Sequence, residues 1–210
     1  MLDVIDLECL RGEQRLFSHL SFTLRAGEIL HLHGANGSGK TSLLRLLCGF
    51  SCPMHGEIVW HGKPIERIRK IFARDLLYIA HSNALNSDLT PFENLSFFAR
   101  MRNPAASRRS IEVALDTLGM KSYSHLPVKA LSQGQRRRVA LAELALCQNP
   151  LWILDEPFTS LDNDGIGLAS DLLSAHILGG GMVILTSHQD VPISIRPPKK
   201  ISLDSGWNGD

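Results

Sequence analysis

A glycine-rich loop between an apolar strand pattern and a leucine-rich helix pattern constrains this chain more than any other stretch. In GANGSGKTSLLRLLCG, residues 34–49, the spacing of Gly34, Gly39, Lys40 and Thr41 fits the pattern GxxxxGK[ST], and the apolar run EILHLH precedes it. Glycines let successive backbone N–H groups converge on an anion, and the N-terminus of the helix adds partial positive charge. The stretch therefore predicts a phosphate-binding loop that joins a buried strand to a helix.

The side chains of this loop predict that it binds a nucleoside triphosphate together with a divalent cation. Lys40 is expected to reach the β- and γ-phosphates, and Thr41 is expected to place its hydroxyl on Mg²⁺. The predicted nucleotide-binding set of the loop comprises Gly34, Ala35, Asn36, Gly37, Ser38, Gly39, Lys40, Thr41 and Ser42.

Two carboxylates follow a second apolar run. LWIL at 151–154 is typical of a buried parallel strand, and Asp155 and Glu156 come directly after it. Ligands of parallel sheets bind at the carboxyl ends of the strands. We therefore expect Asp155 to hold Mg²⁺ together with Thr41, and Glu156 to polarise the attacking water.

A phosphate loop with an acidic strand end also fits a small-molecule kinase, a helicase or a GTPase. The stretch LSQGQRRRVALAELAL at 131–146 separates these classes, because Ser132 is placed to cap an apolar helix and Gly134 permits a close backbone approach to a second anion. With this signature the chain resembles the ATP-binding subunits of ABC transporters along essentially its whole length. TSLD at 159–162 is similar to the D-loop of that family, and VILTSH leads to the switch histidine, His188.

The resemblance implies an α/β fold: a P-loop NTPase core with a mostly parallel sheet, an N-terminal antiparallel β part and an inserted helical subdomain. We expect residues 1–210 to form a single nucleotide-binding domain, with the core at about 1–82 and 136–210 and the helical subdomain at about 83–135. The implied cofactors are ATP and Mg²⁺.

The resemblance also implies a dimer that holds ATP between two copies of the chain. The signature residues Ser132, Gly134 and Gln135 would contact the γ-phosphate held by the loop of the partner copy. The implied catalytic residues are Glu156, His188 and His81.

The chain departs from the family pattern at two positions. A glutamine is usual where LLYIAH supplies His81, and an imidazole that titrates near neutral pH predicts pH-dependent hydrolysis. An aromatic residue that stacks on adenine is usual near Arg11, whose planar guanidinium also stacks. Phe17 is the alternative for this contact.

Two further stretches carry predictions about surfaces. Arg136, Arg137 and Arg138 follow the signature and are interpreted as a solvated helix face. LTPFENLSFFARMRN at 89–103 opens with a capping box, Thr90 to Glu93, and contains several aromatic residues. These aromatics are expected either to dock a cytoplasmic helix of a membrane subunit or to pack inside the helical subdomain.

Among subfamilies the chain is most similar to the haem-exporter ATP-binding subunits of bacterial cytochrome c maturation, by LLYIAH, LTPFENL and LWILDEPFTSLD. This resemblance implies integral-membrane partners, a haem chaperone reached through the complex, and a peripheral place on the cytoplasmic side of the inner membrane. The alternatives are a transporter subunit for lipid, drug or peptide, and an ABC ATPase that acts on nucleic acid or ribosomes. Because the net charge is only +1, we expect no direct binding of nucleic acid.

Overall fold

The structure is a computed structural model that describes residues 1–12, 14–102, 106–188, 190, 191, 193 and 195–203. Its strands are β1 (Leu2–Arg11), β2 (Gln14–Leu24), β3 (Ile29–His33), β4 (His55–Trp60), β5 (Lys63–Pro64), β6 (Leu76–Ile79), β7 (Leu151–Leu154), β8 (Met182–Thr186) and β9 (Lys199–Ser202). Its α-helices are α1 (Lys40–Leu47), α2 (Arg69–Asp75), α3 (Pro91–Arg102), α4 (Arg108–Thr117), α5 (Gln133–Ala145) and α6 (Asn163–Leu178). Short 3₁₀ turns lie at Ile65–Arg67, Lys121–Tyr123 and Val128–Ala130.

The first sheet is antiparallel and has the strand order β2-β1-β4-β5. Residues Leu2, Val4, Leu7 and Cys9 of β1 are buried and alternate with more exposed neighbours, which is typical of a sheet with one solvated face. This sheet confirms the predicted N-terminal antiparallel part.

The second sheet has the order β6-β7-β8-β3-β9, and the pairs β3–β8, β3–β9 and β7–β8 are parallel. Every residue of β7 and β8 is buried, as continuous apolar strands of parallel sheets predict. The carboxyl ends of β3, β7 and β8 lead to the glycine loop, to Asp155 and to His188. The α/β fold class is confirmed.

The chain divides into two compact units. The first comprises residues 1–78, 149–155 and 176–210. Its core joins apolar side chains of the antiparallel sheet to those of β3, α1, β7 and β8, with Trp60 and Phe17 among the largest buried residues.

The second unit comprises residues 79–148 and 156–175, and α3, α4 and α5 pack against one another within it. Leu95, Ile111 and Val139 are among its buried residues. The predicted helical subdomain, 83–135, falls inside this unit, and its boundaries stay a prediction.

Among the described residues, no helix combines the length and the apolar character that crossing a bilayer requires.

Side-chain caps begin the helices where the sequence predicts them. The Thr90 N–H donates to the Glu93 carboxylate at 2.8 Å, and the Glu93 N–H donates to the Thr90 hydroxyl at 3.2 Å. This reciprocal pair caps α3 from Thr90, and Pro91, a favoured residue at the first helical position, follows it. The last residue of the predicted stretch, Asn103, lies outside the described residues.

Candidate functional site

The glycine loop leads directly into α1 in the first unit. Gly39, the N-cap, has φ +102°, and a Cβ at this position would lie 3.1 Å from the Leu16 Cβ. Both the backbone conformation and the space therefore require glycine. Lys40 is 8% exposed, and its Nζ donates to the backbone oxygens of Gly34 at 2.6 Å and Ala35 at 3.0 Å. The ammonium thus lies against the start of the loop that precedes it.

Asp155 lies buried at the end of β7 between two hydroxyl groups. The Thr41 Oγ1 donates to Oδ2 at 3.3 Å, and the Thr186 Oγ1 donates to Oδ1 at 2.8 Å. The structure thus brings together Thr41 and Asp155, the two residues expected at Mg²⁺. Sequence reasoning missed Thr186, although its signal was present: a hydroxyl residue ends β8, which neighbours β7 in the parallel sheet.

This group of oxygens fits a hard divalent cation. Carboxylate and hydroxyl oxygens are the ligand types that Mg²⁺ takes, usually with several waters. The Ser38 Oγ of the same loop is buried and has no hydrogen-bond partner among the described residues. Buried hydroxyls are normally paired, so this atom is suited to a phosphate oxygen.

Glu156 and His81 meet in the second unit. The Glu156 Oε2 lies 3.4 Å from the His81 Nδ1 and accepts from the Thr159 hydroxyl at 3.1 Å. The Glu156 backbone has φ +50°, a left-handed conformation that is costly for a residue with a side chain. The structure therefore places the predicted water-polarising carboxylate beside the residue that replaces the usual glutamine.

The prediction of a solvated arginine face is wrong. Arg137 is only 3% exposed, and its guanidinium donates to the backbone oxygens of Ala80 at 2.8 Å, Glu156 at 2.9 Å and Pro157 at 3.2 Å. A fourth acceptor is the Asn83 Oδ1, at 3.1 Å. Three arginines in a row on an amphipathic helix do not show which of them turns inward; the acceptors that decide it come from distant segments.

The flanking arginines are also engaged. Arg136 donates to the backbone oxygens of Val128, Lys129 and Leu131, at 2.9 to 3.1 Å. Arg138 pairs with Asp162, and this hydrogen bond, helped by the Gly165 N–H, holds the pKa of Asp162 below its usual value.

The signature residues cap α5. The Gln135 N–H donates to the Ser132 Oγ at 3.2 Å, and the Ser132 N–H donates to the Gln135 Oε1 at 2.9 Å. A Cβ on Gly134 would lie 2.5 Å from the backbone oxygen of Ser160. Glycine is therefore needed here because residues 159–162 pack against position 134, whether or not a phosphate also binds there.

Three further residues from the sequence analysis are Arg11, His188 and Phe17. Arg11 is exposed at the end of β1, and His188 is exposed two residues beyond β8. Phe17 is 1% exposed and belongs to the core, which removes it as an adenine contact and leaves Arg11 as the prediction.

Known proteins match this chain over nearly its full length. The sequence profile of the ABC transporter family matches residues 17–159. The cytochrome c biogenesis ATP-binding export protein CcmA of Pseudomonas aeruginosa is 45% identical over 193 residues, 92% of this chain and 95% of the relative. CcmA 2 of Salmonella paratyphi A is 46% identical over 209 residues, 100% of each chain to the nearest per cent.

Two solved structures support the fold. A putative ABC transporter ATP-binding protein from Pyrococcus furiosus has a TM-score of 0.83 at 23% identity and covers 96% of each chain. A dimeric ATP-binding cassette in a post-hydrolysis state, bound to ADP and phosphate, has a TM-score of 0.77 at 23% identity and covers 90% of this chain and 88% of that one. By its sequence relatives, the chain belongs to the ABC transporter family and, within it, to the cytochrome c biogenesis ATP-binding export proteins.

Proposed function

We propose that this chain is the ATP-hydrolysing subunit of an ABC transporter that serves cytochrome c biogenesis, with haem as the cargo. The observation that carries the proposal is 45–46% identity over nearly all of the chain to relatives named cytochrome c biogenesis ATP-binding export proteins. The glycine loop, Lys40 and the Asp155 group supply what the ATPase activity of this family requires. An ABC transporter for another substrate is the second candidate.

The first unit supplies the nucleotide contacts of this proposal. The loop from Gly34 to Ser42 cradles the phosphates, Lys40 moves from its loop carbonyls to the β- and γ-phosphates, and the Ser38 hydroxyl meets a phosphate oxygen. Thr41 and Asp155 hold Mg²⁺. When bound, this ion neutralises charge on the phosphate oxygens.

Hydrolysis is an in-line displacement at the γ-phosphorus. Glu156 orients a water molecule and accepts its proton as the water oxygen bonds to phosphorus. The bond from phosphorus to the β–γ bridging oxygen breaks, which releases ADP and inorganic phosphate. His188 contacts the γ-phosphate, and His81, 3.4 Å from Glu156, links that carboxylate to the helical part of the chain.

The dimer of this proposal places ATP between two copies. Ser132, Gly134 and Gln135 at the N-terminus of α5 meet the γ-phosphate bound by the other copy, where the helix dipole favours an anion. Arg11 stacks on adenine. After cleavage, release of the inorganic phosphate removes the charge that joins the two copies.

A membrane subunit binds to α3 in this proposal. Phe97 is 67% exposed and Met101 is 73% exposed, and both line a groove of about 480 Å³ with Leu89 and Arg100. The neighbouring Phe92 and Phe98 are covered by arginines, with guanidinium carbons 5.2 Å and 5.1 Å from their ring centroids. Of the three aromatics, Phe97 is therefore the one offered to a partner helix on the cytoplasmic side of the inner membrane.

The catalytic part of the proposal is tested with Glu156→Gln. We expect ATP hydrolysis to fall by about 100-fold or more while ATP binding persists, because the amide cannot accept the proton. Glu112→Gln, at a partly exposed carboxylate paired with Arg108, is the control and should hydrolyse ATP normally. Normal turnover by Glu156→Gln would remove its catalytic role.

The transport part is tested by purifying the tagged chain in mild detergent from membranes of cells that express it. We expect small integral-membrane subunits together with a haem-binding chaperone. A different permease would keep the ATPase and overturn the cargo. Ribosomes or DNA without any membrane protein would overturn the transporter class.

A further inference from the structure

We infer that Arg137 is a positioning residue for ATP hydrolysis: its buried guanidinium holds the Glu156 turn and the His81 loop in one arrangement. The inference rests on the ATPase function proposed above. It concerns a side chain that contacts neither nucleotide nor water in that mechanism and acts only through the two residues it positions.

The guanidinium bridges two segments that are far apart in sequence. Nη1 donates to the Ala80 backbone oxygen at 2.8 Å and to the Asn83 Oδ1 at 3.1 Å, on both sides of His81. Nη2 donates to the Glu156 backbone oxygen at 2.9 Å, and Nε donates to the Pro157 oxygen at 3.2 Å. A planar fork of donors makes this set of contacts, whereas the single ammonium of a lysine cannot face both segments at once.

The Glu156 turn needs such support. Its left-handed backbone, φ +50°, is disfavoured for a residue with a Cβ, and Pro157 follows it. The successive carbonyl groups of Glu156 and Pro157 point to one guanidinium, so charge-assisted hydrogen bonds hold the turn at the residue whose carboxylate must orient water. Strained backbone of this kind persists where surrounding contacts determine it and clusters at functional sites.

The contact between the two positioned side chains depends on the same bridge. The His81 Nδ1 and the Glu156 Oε2 lie 3.4 Å apart, and the backbones that carry them are joined through Arg137. Loss of the bridge therefore lets the carboxylate and the imidazole separate. A shift of about 1 Å in catalytic geometry is enough to lower a rate by about 100-fold.

The test compares Arg137→Lys and Arg137→Gln with the unaltered full chain. We expect the kcat for ATP to fall by about 10- to 100-fold, with the Kd of a fluorescent ATP analogue nearly unchanged. The unfolding temperature should fall, because buried acceptors lose their donor, so kcat is compared at a temperature at which every variant is still folded. Arg108→Gln is the control: it removes a guanidinium in the same unit that is exposed and pairs with Glu112 on α4, outside both catalytic segments, and should keep kcat within about twofold.

A double-mutant cycle separates positioning from general stability. In a His81→Ala background, Arg137→Lys should lower kcat by clearly less than it does alone, because part of what it positions is already gone. Independent, multiplying effects would overturn the inference. So would a loss of folding or of ATP affinity that matches the loss of kcat, because the role would then be structural only.

Asn83→Ala tests the bridge without removing the buried charge. It deletes one acceptor of the guanidinium, and we expect kcat to fall by about threefold with ATP affinity unchanged; an unaltered kcat would count against the bridge. The two levels of proposal fail differently. If Glu156→Gln hydrolyses ATP normally, the ATPase mechanism fails; if it is inactive while Arg137→Lys is fully active, only the role of Arg137 fails.

Discussion

Two buried cations in two regions of this molecule differ in how far their partners lie along the chain. Lys40 in the first unit is 8% exposed and donates to carbonyl groups five and six residues away. Arg137 in the second unit is 3% exposed and donates to carbonyl groups 19, 20 and 57 residues away. The first is therefore visible in a local motif, and the second is visible only after the chain has folded.

This difference teaches that a motif marks the part of a site whose geometry is local. A phosphate loop is built from consecutive residues, so its residue types and their spacing are sufficient to predict it. The Glu156 turn is held from outside, and the residue that holds it looks like any arginine on a helix.

The largest effect is expected at Lys40. Lys40→Ala should weaken ATP binding by about 100-fold, because a charge-assisted contact to the phosphates is lost. Titration with a fluorescent nucleotide measures it. Arg45→Ala, at an exposed cation on the same helix, should bind ATP as the unaltered chain does. Equal affinities for both variants would remove the phosphate-loop assignment.

Sequence reasoning reached the elements and the local motifs for a physical reason. The apolar runs of β7 and β8, the capping pairs at Thr90 and Ser132, and the order of strand, loop and helix at residues 29–47 are all written in neighbouring residues. It missed the burial of Arg137 because the acceptors of that side chain lie at least 19 positions away, and it missed Thr186 because the only signal was a hydroxyl residue at the end of the strand beside β7. Long-range pairing of this kind follows from the packed fold and leaves little trace in spacing.

The second effect tests a long-range contact of the signature. Gly134→Ala should destabilise the chain by about 1–3 kcal/mol, because its Cβ would meet the Ser160 oxygen at 2.5 Å. Denaturant unfolding measures the change. Gly167→Ala is the matched control, since a Cβ there meets nothing within 4 Å on an exposed face of α6, and it should be neutral or slightly stabilising. Equal stability of the two variants would show that the Ser160 approach is not needed.

A third test asks whether Thr186, which contacts Asp155 from a distant part of the chain, contributes to Mg²⁺ binding. Thr186→Val removes the donor to Asp155 Oδ1, and we expect the free energy of unfolding to fall by about 1–2 kcal/mol. We also expect the Mg²⁺ concentration needed for ATP hydrolysis to rise by about tenfold. Thr23→Val removes a similar hydrogen bond, to Asp3 at 2.8 Å in the antiparallel sheet. That variant should leave the Mg²⁺ requirement unchanged; a matching shift in both would count against a role for Thr186 at the cation.

The smallest effect concerns His176, which no motif marks. Its ring stacks on Trp152 with centroids 3.6 Å apart, and burial lowers its pKa to about 4. The unfolded ring binds a proton below about pH 6.5, whereas the folded ring stays neutral down to about pH 4. Stability from this group is therefore complete above pH 6.5 and is lost as the pH falls from 6.5 towards 4.

Unfolding in urea at pH 7.5 and pH 5 measures this dependence. His176→Phe keeps an aromatic stack and should reduce the loss of stability at pH 5 by about 1 kcal/mol, after allowance for solvent screening of a half-buried ring. His125→Phe, at an exposed histidine, serves as the control and should keep the slope of the unaltered chain. The same slope in all three proteins would show that His176 does not contribute.

The tight approach of Gly134 to Ser160 also limits how this chain can change over generations. A side chain at position 134 is blocked by backbone, and backbone does not yield as a flexible side chain does. A lineage that moves away from glycine here must first remodel residues 159–162. The order of substitutions along such a path is thereby set by steric exclusion, in one copy of the chain and before any nucleotide binds.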